Sequence, residues 1–122
     1  NNTFAIYMMS LVMQWLKDQG GVEKMEGINN AKAKILYDAI DSSEFYLGAA
    51  HPDHRSIMNV TFNLANNDLL PAFLSQAESQ GLYALKGHRV VGGARASIYN
   101  AMPVAGCQGL ADFMKNFEKN NA

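Results

Sequence analysis

"IMNVTFNLA", from Ile57 to Ala65, alternates strictly. Met58, Val60, Phe62 and Leu64 are apolar, and Asn59, Thr61 and Asn63 between them are polar. Successive side chains of a strand point to opposite faces, so the stretch predicts a strand with one buried face and one polar face.

The neighbouring segments supply what such a strand needs. Downstream, "NNDLLPAFLSQAESQG" reads as a helix, with Asn67 or Asp68 as its cap, Pro71 in its first turn and Gly81 closing it. "LYAL" reads as a short strand or extended segment and "ARASIYN" as another strand. Pro103 then opens a last helix with Leu110, Phe113, Met114 and Phe117 inward and Lys115 and Lys119 near its end. Only "KNNA" at the C-terminus is expected to fray. Upstream, "EFYLG" is a short strand and "AAHPDHRS" a polar loop marked by Pro52. "GVEKMEGINNAKAKILYDAIDSS" is an amphipathic helix, with one stripe through Val22, Met25, Ile28, Ala31, Ile35 and Ile40 and a second through Ala33, Leu36 and Tyr37. The first helix, "TFAIYMMSLVMQWLKDQGG", is capped by Thr3 and ended by Gly20-Gly21, and it is apolar almost all round. A surface helix normally shows a single apolar stripe, so this one predicts cover on both sides, including a partner outside the domain. The order α-α-β-β-α-β-β-α predicts an α+β fold: a three- or four-stranded sheet with helices packed on it, in one domain over residues 1–122.

Composition narrows the function. Ten Lys and Arg against eleven Asp and Glu give a net charge of −1, which disfavours general nucleic-acid binding. One cysteine, Cys107, allows no internal disulfide and fits a cytoplasmic protein. No secretory leader is expected, since the first residues show neither a basic region nor a cleavage pattern. No membrane span is expected either, because the apolar run from Phe4 to Leu16 is too short to cross a bilayer.

Against that neutral background, "KGHRVVGGARAS" (Lys86 to Ser97) carries only cations, with three glycines. A guanidinium presents a rigid fork of donors that matches carboxylate or phosphate, and a histidine adds another donor. Gly87 permits a turn that aims His88 and Arg89, and Gly92-Gly93 allows a bend or close backbone approach before the strand carrying Arg95. His88, Arg89 and Arg95 thus fit a site for an anion, including one with two acidic ends, and equally fit solvated surface cations around a glycine bend. His51, Asp53 and His54 in "HPDH" lack an evident third ligand and read as a polar loop, so no metal is expected. Cys107, near the start of the last helix, reads as a small packed residue, and the seven methionines as core or interface filler. "KGHRVVGG" and "GGARAS" lack the spacing of a phosphate-binding loop.

Together, "FAIYMMSLVMQWLKDQGGVEKMEGINNAKAKILYDAIDSS", "SIMNVTFNLAN" and above all "KGHRVVGGARASIYNAMP" closely resemble the phosphoserine aminotransferases, a family of class V, fold-type-I enzymes classed as α/β. The resemblance covers essentially the whole chain and corresponds to the family's C-terminal small domain. It implies a homodimeric, cytoplasmic enzyme that uses pyridoxal 5′-phosphate. That enzyme exchanges an amino group between phosphoserine with 2-oxoglutarate and 3-phosphohydroxypyruvate with glutamate, in serine and pyridoxine biosynthesis. It further implies that His88 and Arg89 bind the substrate phosphate and that Arg95 binds the α-carboxylate.

The catalytic lysine, the pyridinium-partner aspartate and the ring-stacking tryptophan of the family belong to its large domain. The resemblance therefore places no catalytic, cofactor-binding or metal-binding residue within residues 1–122, and the chain alone is expected to be inactive and to bind no cofactor. The first helix is then expected to lie between the small domain's sheet and the large domain. Two features depart from the family pattern. Asn1 and Asn2 stand where prolines are usual, so the Asn-Thr pair that reaches the partner subunit's cofactor phosphate is missing, and Ala94 stands where methionine is common. The residues alone also admit a stand-alone module that binds a phosphorylated amino acid, or an oligomerisation domain.

Overall fold

The structure, a computed structural model, describes residues 2–122. Asn1, one of the two residues at the proline positions, lies outside them.

Strand β2, Asn59–Leu64, carries the expected alternation: Val60, Phe62 and Leu64 are buried and Asn59, Thr61 and Asn63 half-exposed. It pairs antiparallel with β1, Tyr46–Gly48, on one side and with β4, Gly92–Ser97, on the other. β3, Lys86–His88, pairs with β4 and completes the order β1-β2-β4-β3. The helices are α1, Thr3–Asp18; α2, Gly21–Asp41; α3, Leu70–Ser79; and α4, Val104–Asn121. The expected order of helices and strands is therefore present, with four strands.

One face of the sheet carries the core. Val60, Phe62, Leu64, Ala94 and Ala96 point into it, and α2, α3 and α4 cover them. Phe73 of α3 is fully buried and meets the rings of Tyr46, Phe62, Phe113 and Phe117 at centroid distances of 5.1–6.1 Å. Such edge and tilted contacts add to the burial energy of each ring. The Tyr46 hydroxyl donates to the Met114 carbonyl at 2.8 Å, which satisfies its one polar atom inside the core. No helix is long and apolar enough to cross a membrane among the described residues.

Several local readings are corrected. Asn2, not Thr3, caps α1: its Oδ1 accepts from the Ala5 N–H at 3.1 Å. Neither Asn67 nor Asp68 caps α3. Asn66 instead caps a 3-10 turn, Asn67–Leu69, that leads into the helix, with Pro71 in its first turn as expected. "HPDH" likewise folds into a 3-10 turn, Pro52–His54, after His51. Leu82–Leu85 is not a strand. Ala84 takes a left-handed conformation there (φ 60°), and pairing starts only at Lys86. The C-terminus stays helical to Asn121, whose side chain donates to the Phe117 carbonyl.

The larger corrections concern the first two helices. α1 does not pack on the sheet: none of its residues is buried, and within the chain it packs chiefly on α2. Phe4, Ile6, Tyr7, Met9, Val12 and Met13 are all more than half exposed. On α2 the buried stripe runs through Met25, Asn29, Lys32, Ala33, Leu36, Ala39 and Ile40. Val22 and Ala31 face solvent, and two polar side chains take the inward places. The apolar spacing was ambiguous between neighbouring stripes, and burying Asn29 and Lys32 depends on hydrogen-bond partners 66–71 residues away.

Candidate functional site

The cationic stretch folds as a hairpin. His88 pairs with Gly92 and Lys86 with Ala94, so Arg89, Val90 and Val91 form the tip. The tip is closed by the Val91 N–H donating to the His88 carbonyl at 3.1 Å and by the Val90 N–H donating to His88 Nδ1 at 3.3 Å. His88 and Arg89 are exposed, as are both valines. Gly87 acts by a different route from the expected turn. It sits inside β3, and a Cβ there would collide with the Gly92 and Gly93 carbonyls across the hairpin. Gly93 is as expected: at φ +67° it lies against Asn63 and the Phe62 carbonyl, at a separation only a glycine tolerates.

Arg95 stands two residues beyond, opposite Thr61 of β2. Directly paired residues share a face, so Arg95 belongs to the polar face with Asn59, Thr61 and Ser97. Ser97 Oγ and the Tyr99 hydroxyl both donate to Asn59 Oδ1, at 3.2 and 3.4 Å, so that face is locally braced. Arg95 is half-buried, and its Nε is shielded from solvent with no hydrogen-bond partner. Neither Arg89 nor Arg95 is ion-paired to an acidic side chain among the described residues. A half-desolvated guanidinium without a counter-ion is suited to an incoming anion, since charge-assisted hydrogen bonds are strongest where water is excluded.

The structure puts His88 and Arg89 at the tip of the hairpin whose second strand carries Arg95, yet no hydrogen bond links the three. An apolar cleft of about 530 Å³ lies elsewhere, between Leu11, Val12 and Trp15 of α1 and Met58, Tyr99 and Ala101.

Of the other candidates, Cys107 resolves as packing and the two histidines lie in an exposed turn. The Cys107 thiol is buried and its pKa is pushed up by burial, with the nearby Lys32 amine acting weakly in the other sense. His51 and His54 lie 5.9 Å apart between ring centroids, and no group of three or more His, Cys, Asp or Glu side chains gathers among the described residues. Arg55, by contrast, is committed within the fold. It forms a bidentate pair with Asp41 at 2.6 and 2.7 Å and stacks over the Tyr37 ring.

Two polar residues were missed by sequence reasoning. Lys32 is completely buried, and its Nζ donates to the Ile98 and Tyr99 carbonyls at 3.1 and 2.8 Å. Asn29, one turn earlier, donates to Asn100 Oδ1 at 2.8 Å. Asn29 stands four residues after Met25, and Lys32 seven after Met25 and four before Leu36; that inward spacing was the available signal.

Comparison with known proteins agrees with this architecture. The phosphoserine aminotransferase of Shewanella frigidimarina is 59% identical over 115 residues, covering 94% of this chain and 32% of that protein. The solved phosphoserine aminotransferase from Bacillus circulans subsp. alkalophilus superposes with a TM-score of 0.95 at 45% identity, over 99% of this chain and 34% of its own. The PLP-bound phosphoserine aminotransferase from Trichomonas vaginalis gives a TM-score of 0.86 at 37% identity, over 93% of this chain and 33% of that one. The chain spans about a third of the length of these relatives. The family model for aminotransferase class-V matches residues 1–110, nearly the whole of the sheet and helices described above, and the chain belongs to that family.

Proposed function

We propose that residues 1–122 are the C-terminal small domain of a pyridoxal 5′-phosphate-dependent phosphoserine transaminase. The reaction interconverts phosphoserine and 2-oxoglutarate with 3-phosphohydroxypyruvate and glutamate. In this reading Arg95 receives the α-carboxylate, and His88 and Arg89 receive the phosphate. The observation that carries it is the unpaired Arg95 guanidinium on the polar sheet face, at the base of a hairpin tipped by the His88 imidazole and the Arg89 guanidinium. A substrate with a dianion at one end and a carboxylate at the other asks for cations at two separate points. A hairpin supplies them on one rigid element.

The residues present do not build a site for the cofactor. Lys32 is the one buried lysine among the described residues, and its amine is occupied by two backbone carbonyls; the other six lysines are exposed. The lysine that would carry the cofactor is therefore assigned outside this chain, in a large domain. The bare apolar surface of α1 supports further protein packing on this domain, in keeping with a large domain and a homodimer. The net charge of −1 supports a protein without a nucleic-acid partner.

The test is Arg95→Ala and Arg95→Lys in the full-length holoenzyme. Losing a charged hydrogen-bonding partner costs about 1.5–3 kcal/mol. KM for phosphoserine should therefore rise roughly ten- to a hundredfold in the alanine variant, as 1.4 kcal/mol is about tenfold. Lysine should recover only part of the loss, because it lacks the planar fork. Wild-type kcat/KM in both variants would refute the assignment.

A further inference from the structure

The segment that follows β4 is held from behind by α2. Ile98, Tyr99 and Asn100 are three consecutive residues, and each is gripped by a polar side chain of that helix: the first two by Lys32, the third by Asn29. Strand pairing stops near this point, where the Ile98 N–H donates to the Met58 carbonyl at 2.9 Å. The Tyr99 carbonyl is shared with the Met102 N–H at 2.9 Å, whereas the Ile98 carbonyl is taken up by Lys32, and a buried carbonyl left alone is costly. No acidic side chain is ion-paired to Lys32 among the described residues. Burial holds its pKa below the ordinary lysine range, with Cys107 acting in the opposite sense.

A completely buried amine without a counter-ion is an expensive way to fasten a loop, since apolar residues of similar volume often stabilise as well or better. What the amine supplies that an apolar side chain does not is direction: two donors aimed at two successive carbonyls fix the path of the chain there. Arg95 lies three residues upstream of the first of these carbonyls, on a short strand. One end of that strand is fixed by the glycine hairpin and the other by this clamp.

We propose that Lys32, seconded by Asn29, is a positioning residue for Arg95: the α2 clamp sets the height and twist of β4 so that the guanidinium meets the substrate carboxylate. This rests on the assignment of Arg95 as the carboxylate receptor. Lys32 touches neither substrate nor cofactor and acts only through the strand.

The experiment is a double-mutant cycle in the full-length holoenzyme, with steady-state kinetics on phosphoserine and 2-oxoglutarate. Lys32→Met keeps the unbranched bulk and removes the donors. It should raise KM about tenfold, as expected for loss of good charged hydrogen-bond geometry, with kcat within about twofold. In an Arg95→Ala background the same substitution should add nothing, because the residue it positions is gone. Asn29→Ala is the milder second variant, used if Lys32→Met does not fold. It should raise KM about threefold and show the same non-additivity. Wild-type KM in the folded Lys32→Met or Asn29→Ala variant, or an effect that persists in the Arg95→Ala background, overturns the proposal and leaves a purely structural clamp. Wild-type KM in Arg95→Ala alone overturns the carboxylate assignment as well, so the two failures are told apart.

Discussion

The three glycines of the hairpin separate two physical costs that are usually mixed, and Gly93→Ala should combine both. At φ +67° an L-residue is in the left-handed region, which costs about 1–2 kcal/mol. The added Cβ would also run into the Asn63 side-chain oxygen and lie 2.7 Å from the Phe62 carbonyl. Overpacking of that kind costs about 1–3 kcal/mol. The reduced freedom of alanine in the unfolded chain returns about 0.4–1 kcal/mol. The expected net loss is about 2–4 kcal/mol. Gly92→Ala has the backbone cost alone: φ is +77°, and a Cβ there meets nothing within 4 Å, so about 1 kcal/mol is expected. Gly87→Ala has the steric cost alone. Its φ is ordinary, but the Cβ collides with the Gly92 carbonyl and lies 2.7 Å from that of Gly93, so about 1–3 kcal/mol is expected. Urea unfolding followed by far-ultraviolet circular dichroism reads all three. With a slope of about 1–3 kcal/mol per molar urea, the Gly93→Ala midpoint should fall by about 1–2 M and that of Gly92→Ala by clearly less. A Gly93→Ala variant no less stable than Gly92→Ala would refute the close approach of β4 to β2 at Asn63, and with it the framing of Arg95.

Two further outcomes follow from titratable groups. The Asp41 carboxyl is held below the usual aspartate range, first by its hydrogen bonds from Arg55, with burial opposing and the guanidinium charge assisting. The pair's contribution is therefore complete above the unfolded aspartate pKa and is lost as pH falls through the lower folded value. The carboxylate is half-exposed, so the contribution is at most about 1 kcal/mol. Asp41→Asn should destabilise by that amount at pH 7 and by progressively less as pH falls through the folded value, and a loss that does not shrink in acid would contradict the ion pair. For Cys107, burial keeps the thiol protonated and inaccessible. A thiol-disulfide reagent at pH 8 should modify it only after denaturation, and rapid labelling of the native protein would show that the α4 packing is open.

How much was legible in the sequence depended on the range of the interaction involved. The β2 alternation, the inward face of α4 and the order of the elements are local patterns, written into neighbouring residues and insensitive to what lies across the fold. The cationic set His88, Arg89 and Arg95 was legible for the same reason, as a composition shift within twelve residues. Helix caps shifted by one or more residues because several adjacent Asn, Asp and Thr side chains compete for the same backbone N–H groups, and local geometry chooses among them.

Tertiary structure decided the rest. Whether α1 is covered depends on what it meets, and within this chain it meets little beyond α2. The inward turn of Lys32 and Asn29 depends on carbonyls and an amide at residues 98–100, which the sequence places far away. Most telling is Arg95. The sequence determined that a guanidinium follows two glycines. Only the pairing of β4 with β2 decided that it faces Thr61 on the polar side, half-desolvated and unpaired, because a register shift of one residue would have turned it into the core face.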